Sequence, residues 1–275
     1  VPAAAPSPEV LDLFAVPGAL ELLPGGQGGS WRAGDLVFSP DRDPATAAWL
    51  SPVLARLSVT LDEDPRRHHR DLRVALPVPA RDGSWVVEGW GASRFEPGAT
   101  PCTDLEVTLA AGRLLHARFA VAVPERPAAL AERDDRWARA ERLVFGPVDD
   151  LLAASTGTPA GPVVERVAAA LDPAADLGAV QLVHADLAGN VLLDALGAPL
   201  VIDVAPAWRP LAWAEAVAVL DAVLWLGADP AAYDAWAVGA RRQALLRAVA
   251  WRALADQRED SEALYADVLS VTAST

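Results

Sequence analysis

The spacing of apolar positions changes character near residue 100. Before it, short alternating runs dominate. Residues 20–23 and 31–38 read as strands on either side of the glycine-rich run that ends at Gly29, and Ala33-Gly34-Asp35 adds a turn signal. Asp43 followed by Pro44 predicts a helix running to about Leu57, with the aspartate as N-cap and the proline in the first turn. Residues 56–61, 72–78 and 84–90 read as further strands, the last two joined by the turn Ala80-Arg81-Asp82-Gly83. The charged residues 62–70 between them read as loop.

From about Pro101 the period becomes helical. Helices are predicted over 104–121, 127–143, 148–154, 162–171, 211–226, 231–255 and 261–271, with Trp and Leu at three- and four-residue spacing as core positions. One segment, 180–204, interrupts them with two short apolar runs around a turn. The expected class is therefore α+β. Residues 1–17 form a loose tail, 18–96 a small β-rich lobe with one helix, and 97–275 a larger helical lobe that carries the loop and hairpin at 180–204.

Composition narrows the function classes. A chain of 275 residues with 52% hydrophobic and 22% charged residues can bury a full core. Its most apolar stretch, 211–226, contains Glu215 and Asp221, so it reads as a buried helix and no membrane span is expected. The single cysteine, Cys102, excludes an internal disulfide and suits the cytoplasm. A net charge of −14 argues against nucleic-acid binding and suits a cationic small molecule, although acidity spread over the whole surface explains it equally. Nothing in the sequence points to a protein partner.

The chemistry concentrates in one run. The chain contains no lysine and no methionine, and its sole asparagine is Asn190, in His184-Ala185-Asp186-Leu187-Ala188-Gly189-Asn190. Phosphoryl transfer needs an acceptor held in line, a carboxylate at the acceptor hydroxyl, and hard oxygen ligands for Mg²⁺. Asp186 is the candidate catalytic carboxylate. Asn190, four residues on, and Asp203, after a thirteen-residue step through a hairpin, are the candidate metal ligands. His184 reads as structural support for the loop, a packing and hydrogen-bonding anchor. Gly26, Gly28 and Gly29 are candidates for a loop covering nucleotide phosphates, although glycine clusters also make plain turns.

On these residues the sequence resembles the aminoglycoside phosphotransferase branch of the protein-kinase-like superfamily, most strongly over 182–204. It is also similar to an uncharacterised actinobacterial group related to that branch. The resemblance implies a two-lobe protein-kinase-like fold and a small-molecule kinase that uses Mg²⁺ and ATP or GTP. Asp186 would be its catalytic carboxylate, and Asn190 and Asp203 its metal ligands. Two departures stand against it. The lysine expected on a strand after the glycine-rich turn falls near Ser39, and the helix opened by Pro44 offers no acidic partner up to Leu57. An arginine such as Arg32 or Arg42 could contact the phosphates instead, with different geometry. The alternative is a pseudokinase-type chain that binds a ligand or partner without catalysis.

Overall fold

The computed structural model describes residues 4–16, 18–24 and 29–273. In chain order its elements are α1 (Pro8–Leu13), β1 (Glu21–Leu22), β2 (Trp31–Ala33), β3 (Leu36–Ser39), α2 (Pro44–Asp62), β4 (Arg73–Val74), β5 (Pro77–Val78), β6 (Gly91–Arg94) and β7 (Thr100–Pro101). There follow α3 (Leu105–Ala122), α4 (Ala128–Glu132), α5 (Arg136–Val144), α6 (Val148–Ser155), α7 (Gly161–Ala170), β8 (Val180–His184), β9 (Val191–Leu193), β10 (Pro199–Val201) and β11 (Pro206–Pro210). The chain ends with α8 (Leu211–Leu226), a 3₁₀ turn (Pro230–Trp236), α9 (Gly239–Asp256), α10 (Ser261–Leu264) and α11 (Ala266–Ala273). The result is a mixed α+β chain with a β-sheet N-terminal region and a helical C-terminal region.

Two compact units share these elements. The first gathers the chain up to Cys102 together with Gly189–Val204. A five-stranded sheet of order β1-β2-β3-β6-β5 lies in it, and Phe38, Ala33 and Leu36 pack beneath with Val10 and Phe14 of α1. Asp43 caps α2 by accepting from the Thr46 amide at 2.7 Å. The hairpin β9–β10 belongs to this unit because its strands complete a four-stranded sheet of order β4-β10-β9-β7. Arg73 pins it further, reaching Glu96 at 2.8 Å and Asp194 at 3.2 Å. The sequence reading kept 180–204 whole in the helical region, whereas these pairings divide it after Ala188.

The second unit is Thr103–Ala188 with the chain from Ala205 onward. Its centre is α8 against α9, with Ala216–Ala222 and Gln243–Ala255 buried. Trp213, Leu220 and Leu245 are fully buried. Each such side chain contributes about 1.5–3 kcal/mol from removal of apolar surface from water. The antiparallel pair β8–β11 runs beside them, with His184 opposite Pro206 and Val180 opposite Pro210.

Several predicted elements are corrected. Residues 56–61 are helical, because α2 continues to Asp62 through Pro52 and buries Leu50, Leu57 and Ser58 on one face. The β-branched Val59 and Thr60 mimic a strand there, and tertiary burial overrides them. Residues 84–90 are no strand. Val87 bridges Trp90 across a turn through Glu88 (φ 49°) and Gly89 (φ 80°), and the strand follows as β6. The run 72–78 splits between two sheets. The helix predicted over 127–143 breaks before Asp135, whose carboxylate accepts from the Trp137 and Ala138 amides and starts α5 afresh. The helix predicted over 231–255 breaks at Val238, which is extended. That over 261–271 breaks at Tyr265.

Candidate functional site

In the second unit, β8 ends in His184, and the loop after it carries Asp186. His184 is fully buried. Its backbone amide donates to His116 Nε2 at 2.9 Å, and its Nδ1 accepts from the Asp186 amide at 3.1 Å. An imidazole that accepts at Nδ1 is neutral at that atom, so His184 braces the loop. His116, on α3, is pushed down to about 3 by burial and by its neighbour His184, which keeps its Nε2 free to accept. Gly112 lies one turn earlier on α3, where an added Cβ would come within 2.5 Å of Leu187 Cδ2. The glycine leaves room for the residue that follows Asp186.

The carboxylate of Asp186 is held by Arg252 of α9. The Arg252 Nε donates to Asp221 Oδ1 at 2.9 Å, and Nη2 donates both to Asp221 Oδ2 and to Asp186 Oδ1. Side-chain exposure rises along this chain of charges, from 3% at Asp221 and 9% at Arg252 to 41% at Asp186. The guanidinium carbon lies 4.6 Å from the Trp251 ring centroid and 5.2 Å from that of Trp137, both favourable cation–π positions. Burial pushes the Asp221 carboxyl up to about 6 against the pull of Arg252. Burial would lower Arg252, but its two carboxylate partners outweigh that and raise it.

In the first unit, Asn190 and Asp203 stand at one end of the β9–β10 hairpin. Val191 pairs with Val201. One step further out, the Ile202 amide donates to the Asn190 carbonyl at 2.9 Å, and Asp203 follows directly. Asn190 therefore lies across the ladder from Ile202, the residue before Asp203. Asp203 has φ 47°, a left-handed conformation that turns its side chain off the strand. Its Oδ1 lies 2.5 Å from Arg42 Nη1, with side-chain exposures of 45% and 31%. The stem of Arg42 passes over Gly91, where an added Cβ would meet Arg42 Cγ at 3.2 Å.

These two side chains suit Mg²⁺ chemically. An amide oxygen and a carboxylate are hard donors, and Mg²⁺ is commonly held by one or two carboxylates with the remaining positions filled by water and substrate phosphates. Among the described residues there is no cluster of three or more His, Cys, Asp or Glu arranged to hold a metal by themselves. Any metal held here would therefore take its remaining positions from water or a bound ligand.

The other sequence candidates fall apart from these. Gly26 and Gly28 lie outside the described residues. Gly29 is described, and an added Cβ there would meet Pro40 Cγ at 3.1 Å. Of the two arginines considered for a phosphate, Arg32 is engaged elsewhere. It stacks 4.0 Å over Phe95 and donates to the Gly34 carbonyl. The helix that offered no acid up to Leu57 reaches Asp62, but that carboxylate serves Arg73 at 3.3 Å. Two cavities, of about 270 and 330 Å³, have walls that contain none of Asp186, Asn190 and Asp203. The loop itself departs from kinase catalytic loops, which place the asparagine five residues after the aspartate; here the step is four. Sequence reasoning missed Arg252, Asp221 and His116. No local signal marks them, since Arg252 is 66 residues from the aspartate it holds.

No family model matches the chain. No curated protein matches it either. Among solved structures it is similar to an aminoglycoside phosphotransferase from Alicyclobacillus acidocaldarius subsp. acidocaldarius DSM 446, at TM-score 0.56 and 14% identity over 98% of this chain and 94% of that one. A choline/ethanolamine kinase family protein from Mesorhizobium loti aligns at TM-score 0.43 and 19% identity, covering 97% and 95%. A choline kinase from Streptococcus pneumoniae aligns at TM-score 0.44 and 13% identity, covering 97% and 90%. The first of these shows the fold alone: the chain folds like that protein. Among the described residues, no helix is long and apolar enough to cross a membrane.

Proposed function

We propose that this chain is a small-molecule kinase that moves the γ-phosphate of ATP or GTP to a hydroxyl of a small acceptor. The observation that carries the reading is the hairpin end. There the chain's sole asparagine lies across the ladder from Ile202, and Asp203, the next residue, leaves the strand with φ 47°. Asn190 Oδ1 and the Asp203 carboxylate would hold Mg²⁺, which would supply positive charge to offset that of the nucleotide phosphates. Asp186 accepts a hydrogen bond from the acceptor hydroxyl, orients its oxygen toward the phosphorus, and takes the proton as the new O–P bond forms and the bond to the nucleotide diphosphate breaks. Its partial exposure suits a group that must meet a substrate. His184 supports the loop and touches no reactant. The charge of −14 and the single, buried cysteine fit a cytoplasmic enzyme acting on a small, neutral or cationic acceptor rather than on nucleic acid.

A second reading has its own support. Arg42 already occupies Asp203, the expected lysine is absent, and the catalytic loop is one residue short. All three favour a kinase-like chain that binds a ligand or partner without catalysis. The deciding experiment is thermal unfolding with ATP or GTP, with and without Mg²⁺, on the wild type and on Asn190→Ala/Asp203→Ala. A ligand bound only by the native state raises the melting temperature, and by more the further its concentration exceeds Kd. A Mg²⁺-dependent rise lost in the double variant supports the nucleotide–metal site, and an acceptor screen with Asp186→Ala as the dead control follows. No rise with either nucleotide at millimolar concentration favours the second reading.

A further inference from the structure

The geometry points to Arg252 as a positioning residue for Asp186, a role that deepens the kinase reading and rests on it. A guanidinium is planar, and its N–H bonds have fixed directions in that plane. Arg252 spends Nε and one N–H of Nη2 on the two oxygens of Asp221. That bidentate grip fixes the plane, and with it the direction of the second N–H of Nη2. Asp186 Oδ1 lies where that N–H points. The orientation of a half-exposed carboxylate is thereby set from the buried interior.

The anchor is itself held rigidly. Trp251 donates its indole N–H to the Trp137 carbonyl at 3.1 Å, and its ring makes an edge contact with Trp213 at 5.2 Å. Trp137 and Trp251 both present ring faces to the guanidinium. Asp221 comes from α8, Arg252 and Trp251 from α9, and Trp137 from α5, so three helices fix one N–H direction. A structural ion pair would be complete with Arg252 and Asp221 alone. The additional bond to an exposed carboxylate adds little stability, because exposed pairs are screened by water. Its consequence is directional: it holds Asp186 in one pose. It also supplies a cation beside Asp186. A lysine at 252 would keep the charge and lose the plane.

The test reads the position of Asp186 directly. In protein labelled with ¹³C at aspartate carboxyls, the Asp186 signal is identified by its loss in Asp186→Asn. At pH 7 that signal is expected to move in Arg252→Lys. Asp221→Asn, which keeps Arg252 and frees its plane, is expected to move it as well. Nucleotide turnover with Mg²⁺, read as phosphate release to water, is expected to fall at least tenfold in kcat in Arg252→Lys, with the nucleotide KM changed less than threefold. The same substitution is expected to change nothing further in an Asp186→Asn background. An unmoved Asp186 signal in folded Arg252→Lys, or an unchanged kcat, overturns the role. Should the wild type show no turnover, the kinase reading fails while the carboxyl signal still decides whether Arg252 holds Asp186. Should Arg252→Lys not fold, Asp221→Asn decides by the same signal.

Discussion

Arg42 Nη1 lies 2.5 Å from Asp203 Oδ1, so the carboxylate that the motif offers to a metal already holds a cation from its own unit. The same arrangement recurs at Asp186 with Arg252. Each of the two carboxylates is thus matched to one arginine, but the two arginines differ in burial. Arg252 is locked among helices, whereas the Arg42 side chain is about a third exposed beside Asp203. Arg42 is the one free to exchange partners.

That difference predicts opposite effects of Arg42→Ala on two ligands. Binding of Mg²⁺ or Mn²⁺ alone should tighten severalfold, because the metal no longer competes with Arg42 for Asp203. Binding of the nucleotide with Mg²⁺ should weaken about tenfold, because a released arginine would otherwise face the phosphates. Titration calorimetry with each ligand separates the two, and effects of the same sign would reject the exchange. Stability should change by no more than about 1 kcal/mol, as for other partly exposed pairs.

Asp203 offers a trade of stability against chemistry. With φ 47° it sits where L side chains are strained by on the order of 1 kcal/mol. Asp203→Gly relieves that strain and should keep or slightly raise the melting temperature while abolishing metal-dependent nucleotide binding. Asp203→Ala keeps the strain and should be less stable than the glycine variant. A glycine variant markedly less stable than alanine would show that the left-handed conformation costs nothing here.

Gly112→Ala should destabilise, against the usual direction for a helix interior. Alanine gains about 1 kcal/mol over glycine from helix propensity. Here its Cβ would meet Leu187 Cδ2 at 2.5 Å, and Leu187 adjoins Asp186. The expected result is a lower melting temperature together with loss of turnover. A rise in melting temperature would show that Leu187 simply moves aside.

His116 gives the fold an acid-sensitive point. Its folded value of about 3 lies below the ordinary 6.5 because the ring is buried. In the unfolded chain it binds a proton that the folded chain refuses. Its contribution is therefore fully present above pH 6.5 and is lost as the pH falls toward 3. Between pH 7 and pH 5 the loss from this group should be about 2 kcal/mol by proton linkage. Asp221 works in the opposite direction: its folded value is raised, so its contribution declines as pH rises from about 4 to about 6. Chemical denaturation of the wild type and His116→Gln at both pH values checks the first effect. Glutamine keeps an acceptor for the His184 amide and does not titrate, so the variant should lose about 2 kcal/mol less over that interval.

The sequence by itself determined what depends on neighbours along the chain. Asp43 and Pro44 set the start of α2, the apolar run Leu211–Leu226 set α8 to its ends, and the two short apolar runs around Gly197 set the hairpin β9–β10. Each is a local preference that no distant contact opposed. Where a short apolar run fits helix and strand alike, as at 56–61, burial against distant residues decided, and α2 ran on to Asp62. Only the tertiary structure decided which charges neutralise which. Arg252 reaches Asp186 across 66 residues, and Arg42 reaches Asp203 through a hairpin that joins the first unit by sheet pairing. A charged side chain finds its partner through the packing of whole elements, and that information is absent from any window of the chain.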